Sequence, residues 1–413
     1  MSKFGIGGST IQDELNAIQP RAQHIQPIQN IEYEARIKKA CDLMQAQNVK
    51  ALYLNAGTNL FYFTGMQWHP SERMVGVILL SNGDVHYIAP HFEKGTIKDF
   101  MVIEGAIHCW EEHESPFKLF ASIIANETSN EGSILIDEST PFFIYEGILG
   151  AISPETLGNG KSIISACRMV KSEAEISIIK SLMEITLEVQ KAAARILKVG
   201  ITAKEVTDFI HEAHKRYGIA SGSYFCIVLF GKDTSFPHGV KNPKPLEKND
   251  IVLVDTGCSM HNYISDITRT YCFGTPTDFQ RSIWNVEKEA QFAAFDASQI
   301  ENTCHDVDTA ARQNIKSHGL GPDYNLPGLP HRTGHGIGLN IHEYPYIVKE
   351  NNTPLQSGFC YSIEPMIVVP DDFGIRLEDH VYLTKDGPKW FTQPAHSIEN
   401  PFGYWTCNKK LDN

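Results

Sequence analysis

The chain has 413 residues, of which 42% are hydrophobic and 21% charged, and a formal net charge of -13. Such proportions belong to an ordinary globular protein, and the length exceeds what one core holds, so two domains are expected. The acidity excludes the basic footprint of a nucleic-acid binder and offers nothing to anionic membranes. In chain order, residues 1–30 are polar, rich in Gln, Gly and Pro, and read as an extension, partly ordered at best. Apolar spacing predicts a helix from Glu32 to about Gln47, then a strand at Ala51–Leu54. The run Asn59–Gly65 and a loop, Trp68–Arg73, follow. Val75–Leu80 and Val85–Ala89 read as strands around the turn Ser81-Asn82-Gly83-Asp84, and Ser133–Asp137 as another. This alternation predicts a compact α/β domain over residues 31–166.

A second domain is expected over residues 167–413. Ser172 with Glu175 forms a capping box for a long helix ending near Gly200, and Thr202 with Glu205 opens another. Strand runs at Ile251–Asp255 and Asp266–Phe273 precede helices near 282–299 and 306–318, the latter stopped by Gly319. Tyr361–Val369 and Gly374–Leu383 complete a second strand pair. The domain thus holds two strand pairs, each with two carboxylates.

The nine cysteines (Cys41, Cys109, Cys167, Cys226, Cys258, Cys272, Cys304, Cys360 and Cys407) are odd in number, scattered and free of any Cys-x-x-Cys pair. They read as buried, reduced thiols of a cytoplasmic protein. The first thirty residues lack the apolar run of a signal peptide, and no stretch approaches the ~20 apolar residues of a membrane span. The sequon-like Asn126-Glu127-Thr128 is therefore without expected consequence. Gly158-Asn159-Gly160-Lys161-Ser162 ends like a phosphate loop but has Glu155 where the first glycine must be. His211-Glu212-Ala213-His214 resembles a zinc-protease helix with its second histidine one residue early, and His108–Glu114 reads as a solvated surface.

Chemistry concentrates between His331 and Glu343, a stretch of thirteen residues with histidines at 331, 335 and 342 and glycines at 334, 336 and 338. The glycines permit strained turns and close backbone approach, and the histidines offer nitrogen for metal binding or proton transfer. Asp255 and Asp266 lie upstream and Glu364 and Glu378 downstream, all in strand-like runs. Four carboxylates converging without cations repel, and several must take up protons. Two divalent ions remove the conflict, and a donor set of Asp255, Asp266, His335, Glu364 and Glu378 suits Mn²⁺, Co²⁺, Fe²⁺ or Zn²⁺. Ions ~3.5–4 Å apart can deprotonate a shared water into a hydroxide nucleophile.

Val254-Asp255-Thr256-Gly257, Ser265–Thr270, His331–Glu343, Ser362-Ile363-Glu364-Pro365 and Gly374–Asp379 together resemble the creatinase/aminopeptidase P/prolidase family of pita-bread metallopeptidases. The resemblance covers roughly residues 165–390 and more weakly Asn59–Arg73. It implies an α+β fold in which a pita-bread catalytic domain follows a smaller creatinase-like α/β domain. It also implies that Asp255 chelates one metal, that Asp266 and Glu378 bridge two, and that His335 and Glu364 complete the other site, with Mn²⁺ first among the ions. His342 would hydrogen-bond the scissile carbonyl, His238 and His331 would orient substrate, and Glu364 would shuttle a proton to the leaving nitrogen. Arg376 would sit near the substrate's carboxyl end or behind the ligands. A homodimer is implied as well.

In prolidases the region like Trp68–Arg73 reaches over the site with the pattern Asp-Pro-His-Glu-Arg. Here it reads His69-Pro70-Ser71-Glu72-Arg73, which leaves Glu72 and Arg73 to meet substrate termini or to serve as surface charge. The leading expectation is a dinuclear metal hydrolase that cleaves the Xaa-Pro bond of dipeptides or short peptides, a bond made special by proline's missing N–H and fixed φ. The rival is a metal-dependent hydrolase or lyase of the same fold acting on a small zwitterion such as creatine, ectoine or dimethylsulfoniopropionate. A non-catalytic binding module is a third reading, disfavoured because all five ligands are present.

Overall fold

A computed structural model describes residues 4–127 and 131–404. Cys407 and Thr128 of the sequon-like triplet lie outside these residues. The chain divides into two compact units, one spanning Ile28–Arg168 and the other joining Met1–Pro27 to Met169–Asn413.

The Ile28–Arg168 unit is built on six strands: β1 (Val49–Asn55), β2 (Gly76–Leu80), β3 (Val85–Pro90), β4 (Ala106–Trp110), β5 (Ser133–Ile136) and β6 (Leu157–Asn159). They lie in the order β4-β3-β2-β1-β5-β6, antiparallel within β1-β2-β3 and parallel elsewhere. The central strands are apolar runs because both faces are buried, with Tyr53, Ile78, Ile88, Phe120, Ile134 and Ile148 in one core. The β2–β3 turn closes on Gly83, whose φ of 100° is open to glycine. The run after β1 folds as a helix, Thr58–Thr64, ended by Gly65 in the left-handed conformation. Gly160 precedes a helix over Lys161–Arg168. Glu111, Glu112 and Glu114 of the His108–Glu114 run are exposed, whereas Trp110 is buried and His108 meets His86 at 3.0 Å.

In the other unit, residues 4–27 do not stand apart as an extension. Thr10 caps a helix over Ile11–Ala17, the Gly7 N–H donates to the Ala194 carbonyl at 2.8 Å, and Glu14 pairs with Arg195 at 2.6 Å. Leu15, Ala22 and Ile25 are buried. Their irregular spacing carries no periodic signal, yet each anchors the segment. Helices Glu173–Arg195, Ala203–Arg216, Asp278–Asp296 and Cys304–Ser317 all start on capping boxes, opened by Ser172, Thr202, Thr277 and Thr303.

One sheet holds β7 (Ser223–Phe230), β8 (Ile251–Met260) and β10 (Ile267–Cys272) in the order β10-β8-β7, with β9 (Tyr263–Ile264) paired to β8. A second runs β12-β11-β13-β16-β17, from β11 (Gly334–Gly336), β12 (Glu343–Ile347), β13 (Cys360–Ile363), β16 (Asp379–Thr384) and β17 (Gly387–Trp390). β14 (Met366–Val369) and β15 (Phe373–Arg376) form a third. The expected pair Tyr361–Val369 and Gly374–Leu383 is thus not one hairpin. Each run breaks into two strands in different sheets, and the breaks fall at Glu364-Pro365 and Leu377-Glu378. Pro365 has no N–H to extend the ladder. At the other break the Glu378 N–H turns to the Thr268 carbonyl at 3.2 Å, joining β10 to the second layer. Tyr361, Ile363, Met366, Ile375, Leu377 and Trp284 fill the core behind these breaks.

Candidate metal centre

The sheet breaks aim side chains at one buried point. Asp255 lies within β8, opposite Thr268 of β10, and Asp266 immediately precedes β10. His335 is the middle residue of β11. Its N–H donates to Ser362 Oγ at 2.8 Å, and its Nδ1 meets the Gly336 carbonyl at 3.1 Å, which presents Nε2 to the carboxylates. His335 Nε2 lies 3.1 Å from Glu364 Oε1, 3.9 Å from Asp266 Oδ2 and 3.9 Å from Glu378 Oε1. Thr268 Oγ1 donates to Glu378 Oε2 at 2.7 Å, and Arg376 Nη2 pairs with Asp255 Oδ2 at 2.6 Å. Arg376 also donates to Thr268 Oγ1 at 3.2 Å and to the Pro237 carbonyl at 3.2 Å.

The glycines of the histidine stretch serve close approach rather than strained turns, and none of the three has a positive φ. A Cβ on Gly334 would stand 1.9 Å from the Ser362 carbonyl oxygen, and one on Gly336 2.4 Å from that of Tyr344. A side chain at 334 would force His335 away from its place beside β13.

Electrostatics marks the site as a cation site. Asp255, Asp266 and Glu378 are buried, and Glu364 nearly so. Burial first, then mutual repulsion, drives Asp266 and Glu378 well above the usual carboxylate range. Burial raises Asp255 too, against the pull of Arg376. Burial would also raise Glu364, but His335, His331 and Arg376 outweigh it and hold that carboxyl low. Asp255 Oδ1, Asp266 Oδ1 and Glu378 Oε1 are buried without a hydrogen-bond partner. Orphaned anionic oxygens around a single guanidinium are what bound divalent cations would satisfy, so the residues fit a metal.

His342 stacks edge-on against His335, centroids 4.2 Å apart. Partial burial, with His335 and Arg332 beside it, lowers it to about 4. Burial also lowers His331, against Glu364, and its Nδ1 meets the Arg332 carbonyl at 2.7 Å. His238 is exposed and close enough to act on His342. Cys258 and Cys360 are buried thiols, raised by burial to about 11 and about 12. The eight cysteines among the described residues are all free. Arg73 of the amino-terminal loop is tied to Glu72 and, at 3.0 Å, to Glu112. His214 of the His211-Glu212-Ala213-His214 run is buried, bonded to Ser223 and Thr186.

Sequence reasoning misses three neighbours: Thr268, Ser362 and His380. One ligand atom each from Asp266, His335, Glu378 and His380 lie within 4.8 Å of one another. The available signal is strand alternation, which puts position 380 on the face of 378.

The fold and the site define a metal-dependent hydrolase of two units. The sequence pattern of metallopeptidase family M24 matches residues 177–385, and that of the creatinase/prolidase N-terminal domain matches residues 36–170. The chain belongs to metallopeptidase family M24: it is a metal-dependent peptidase with a creatinase-like amino-terminal domain and a pita-bread domain. An uncharacterized peptidase of Staphylococcus haemolyticus is 31% identical over 353 residues, 86% of this chain and 97% of that protein. The dipeptidase PepE of Mycobacterium ulcerans is similar in structure, with a TM-score of 0.84, 28% identity, and 91% and 99% of the two chains covered. A prolidase of Thermococcus sibiricus gives 0.76 and 29%, covering 87% and 97%. Among the described residues no helix is long and apolar enough to cross a membrane.

Proposed function

We propose that this peptidase is a dinuclear Xaa-Pro dipeptidase, or a short-peptide Xaa-Pro aminopeptidase, whose ions are held by Asp255, Asp266, His335, Glu364 and Glu378. The observation that carries the reading is the buried cluster of three carboxylates, Asp266, Glu364 and Glu378, around His335 Nε2, with Asp255 held by Arg376 and three orphaned oxygens among the four acids. Divalent ions bound there acidify a water and polarise a carbonyl. The rest is the work of this chain's side chains. His342, neutral near pH 7 because of its lowered pKa, donates a hydrogen bond to the scissile carbonyl and steadies charge on its oxygen. Glu364 takes a proton from the attacking water and returns it to the leaving proline nitrogen. His238 and His331 orient the substrate. Arg376 holds Asp255 in place, and burial makes it a positioning residue rather than a substrate contact.

The prolidase and dipeptidase names of the structural neighbours favour an Xaa-Pro dipeptide over a small zwitterion. A homodimer and a cytoplasmic location belong to the same proposal, the first checked by light scattering. The test of function is proline release from Gly-Pro, Ala-Pro and a longer Xaa-Pro peptide, assayed with Mn²⁺, Co²⁺, Fe²⁺ and Zn²⁺ in turn. Release from the dipeptides supports the reading. No release from any peptide with any ion transfers the site to the zwitterion hydrolase or lyase.

A further inference from the structure

Six residues, not five, face the centre. β16 alternates its side chains, and its first residue, Asp379, points away from the site to the buried Arg269 at 2.6 Å and to Gln291 at 3.1 Å. His380 therefore shares the face of Glu378. Its register partner on β13 is Ser362, the residue that takes the His335 N–H. The His380 and His335 rings stand 5.8 Å apart at 69°. His380 is 1% exposed, and neither ring nitrogen makes a hydrogen bond of ordinary geometry, though the Asp266 carbonyl lies beside the ring. A buried imidazole in that condition is costly unless something satisfies its nitrogen. The groups that surround it already converge as ligands.

Building on the metal-centre reading, we infer that His380 is a sixth ligand. It would give the ion at Asp266, His335, Glu364 and Glu378 a second imidazole nitrogen, so that this position holds two nitrogens and three carboxylates rather than one nitrogen and three carboxylates. Such a donor set favours the borderline ions Zn²⁺, Co²⁺ and Fe²⁺ over Mn²⁺, which prefers oxygen. The Mn²⁺ expected of the five-residue set then fits only the position nearer Asp255. The two positions should differ in the ions they retain.

The inference is tested on metal-free wild-type protein and His380→Gln, each titrated with Co²⁺, followed by visible absorption, and with Zn²⁺ and Mn²⁺ by competition against a chromogenic chelator. If His380 ligates, the variant loses at least about tenfold in Zn²⁺ affinity at one position, its Co²⁺ spectrum changes, and its Mn²⁺ affinity moves less. Unchanged Zn²⁺ affinity and an unchanged spectrum make His380 a packing residue and overturn the inference alone. Wild-type protein that takes up no ion overturns the metal-centre reading with it. Because the variant puts a longer polar chain in a closed space, X-ray absorption at the zinc edge of loaded wild-type protein gives an answer that needs no variant. Scattering from two imidazoles per ion pair supports the assignment, and scattering from one refutes it.

Discussion

Thr268 and Glu378 meet twice. The Glu378 N–H donates to the Thr268 carbonyl at 3.2 Å, and Thr268 Oγ1 donates to Glu378 Oε2 at 2.7 Å. This pair joins β10 to the break before β16, and the same hydroxyl accepts from Arg376 Nε, whose guanidinium holds Asp255. One threonine thus orients carboxylates from both layers.

Thr268→Val keeps the shape and removes the hydroxyl. Hydrogen bonds to charged groups contribute about 1.5–3 kcal/mol, and losing a partner that orients a metal ligand costs about 10–100-fold in metal affinity. The expected outcome is a stability loss in that range, read by urea unfolding, with weaker metal retention on dialysis against a chelator. Wild-type metal retention in the variant refutes the orienting role.

Removing metal should leave a protein whose stability depends on pH in a defined sense. Asp255, Asp266 and Glu378 are raised in the fold, so the stability they contribute is fully present below their unfolded values, about 4, and is lost as pH rises through the folded ones. Glu364 runs the other way, contributing stability that is lost as pH falls through its lowered value. Its window lies below its unfolded value, so at higher pH only the three raised groups change stability. Chelator-treated protein should therefore melt lower as pH rises above about 4 toward neutrality, and the increment from added metal should grow over the same window as loading releases protons. Calorimetric scans at stepped pH measure both trends. A metal increment independent of pH contradicts the assignment of these carboxylates.

How much of this was legible beforehand depends on how local each signal is. Asp255 follows four apolar residues and Asp266 opens a strand run, so their placement at strand positions needs only neighbouring sequence. Ser172 and Thr202 announce their helices through acids three residues on, and both capping boxes form. The splits at Glu364-Pro365 and Leu377-Glu378 depend on which distant strand each half joins, though Pro365 hints at the first. Strand alternation along the chain could have put His380 beside Glu378, but the pairings of His380 with Ser362 and of Thr268 with Glu378 lie outside any window along the chain. The anchoring of residues 4–27 rests on single buried side chains and an ion pair 181 residues apart, Glu14 with Arg195. Polar composition conceals such contacts.

Gly334→Ala tests close approach at the centre. The added methyl would stand 1.9 Å from the Ser362 carbonyl oxygen, so β11 must move away from β13 and carry His335 with it. Overpacking of this kind costs about 1–3 kcal/mol. Peptidase activity should fall further than stability does, because a ligand displaced by even 1 Å can cost about 100-fold. Parallel melting and turnover measurements separate the two. A variant with native activity shows that the backbone yields without moving His335.

Lys171 and Glu343 form a buried pair at 2.5 Å, their side chains 1% and 7% exposed. Glu343 also accepts the Asn340 N–H at 3.2 Å, so the pair pins the turn that carries His342 to the start of the catalytic unit. Breaking a buried pair by removing one partner costs about 3–5 kcal/mol, because the other charge is left uncompensated, whereas replacing both with apolar residues can be neutral. Lys171→Met should thus lose several kcal/mol in denaturant unfolding, and Lys171→Met combined with Glu343→Leu should regain most of it. Turnover should behave differently. The double variant still lacks the Glu343 carboxylate that fixes the turn, so His342 gains freedom and kcat stays depressed where stability has recovered. Recovery of both in the double variant makes the pair a matter of stability alone, and a single variant as stable as wild type shows that Glu343 is not left charged and unpaired.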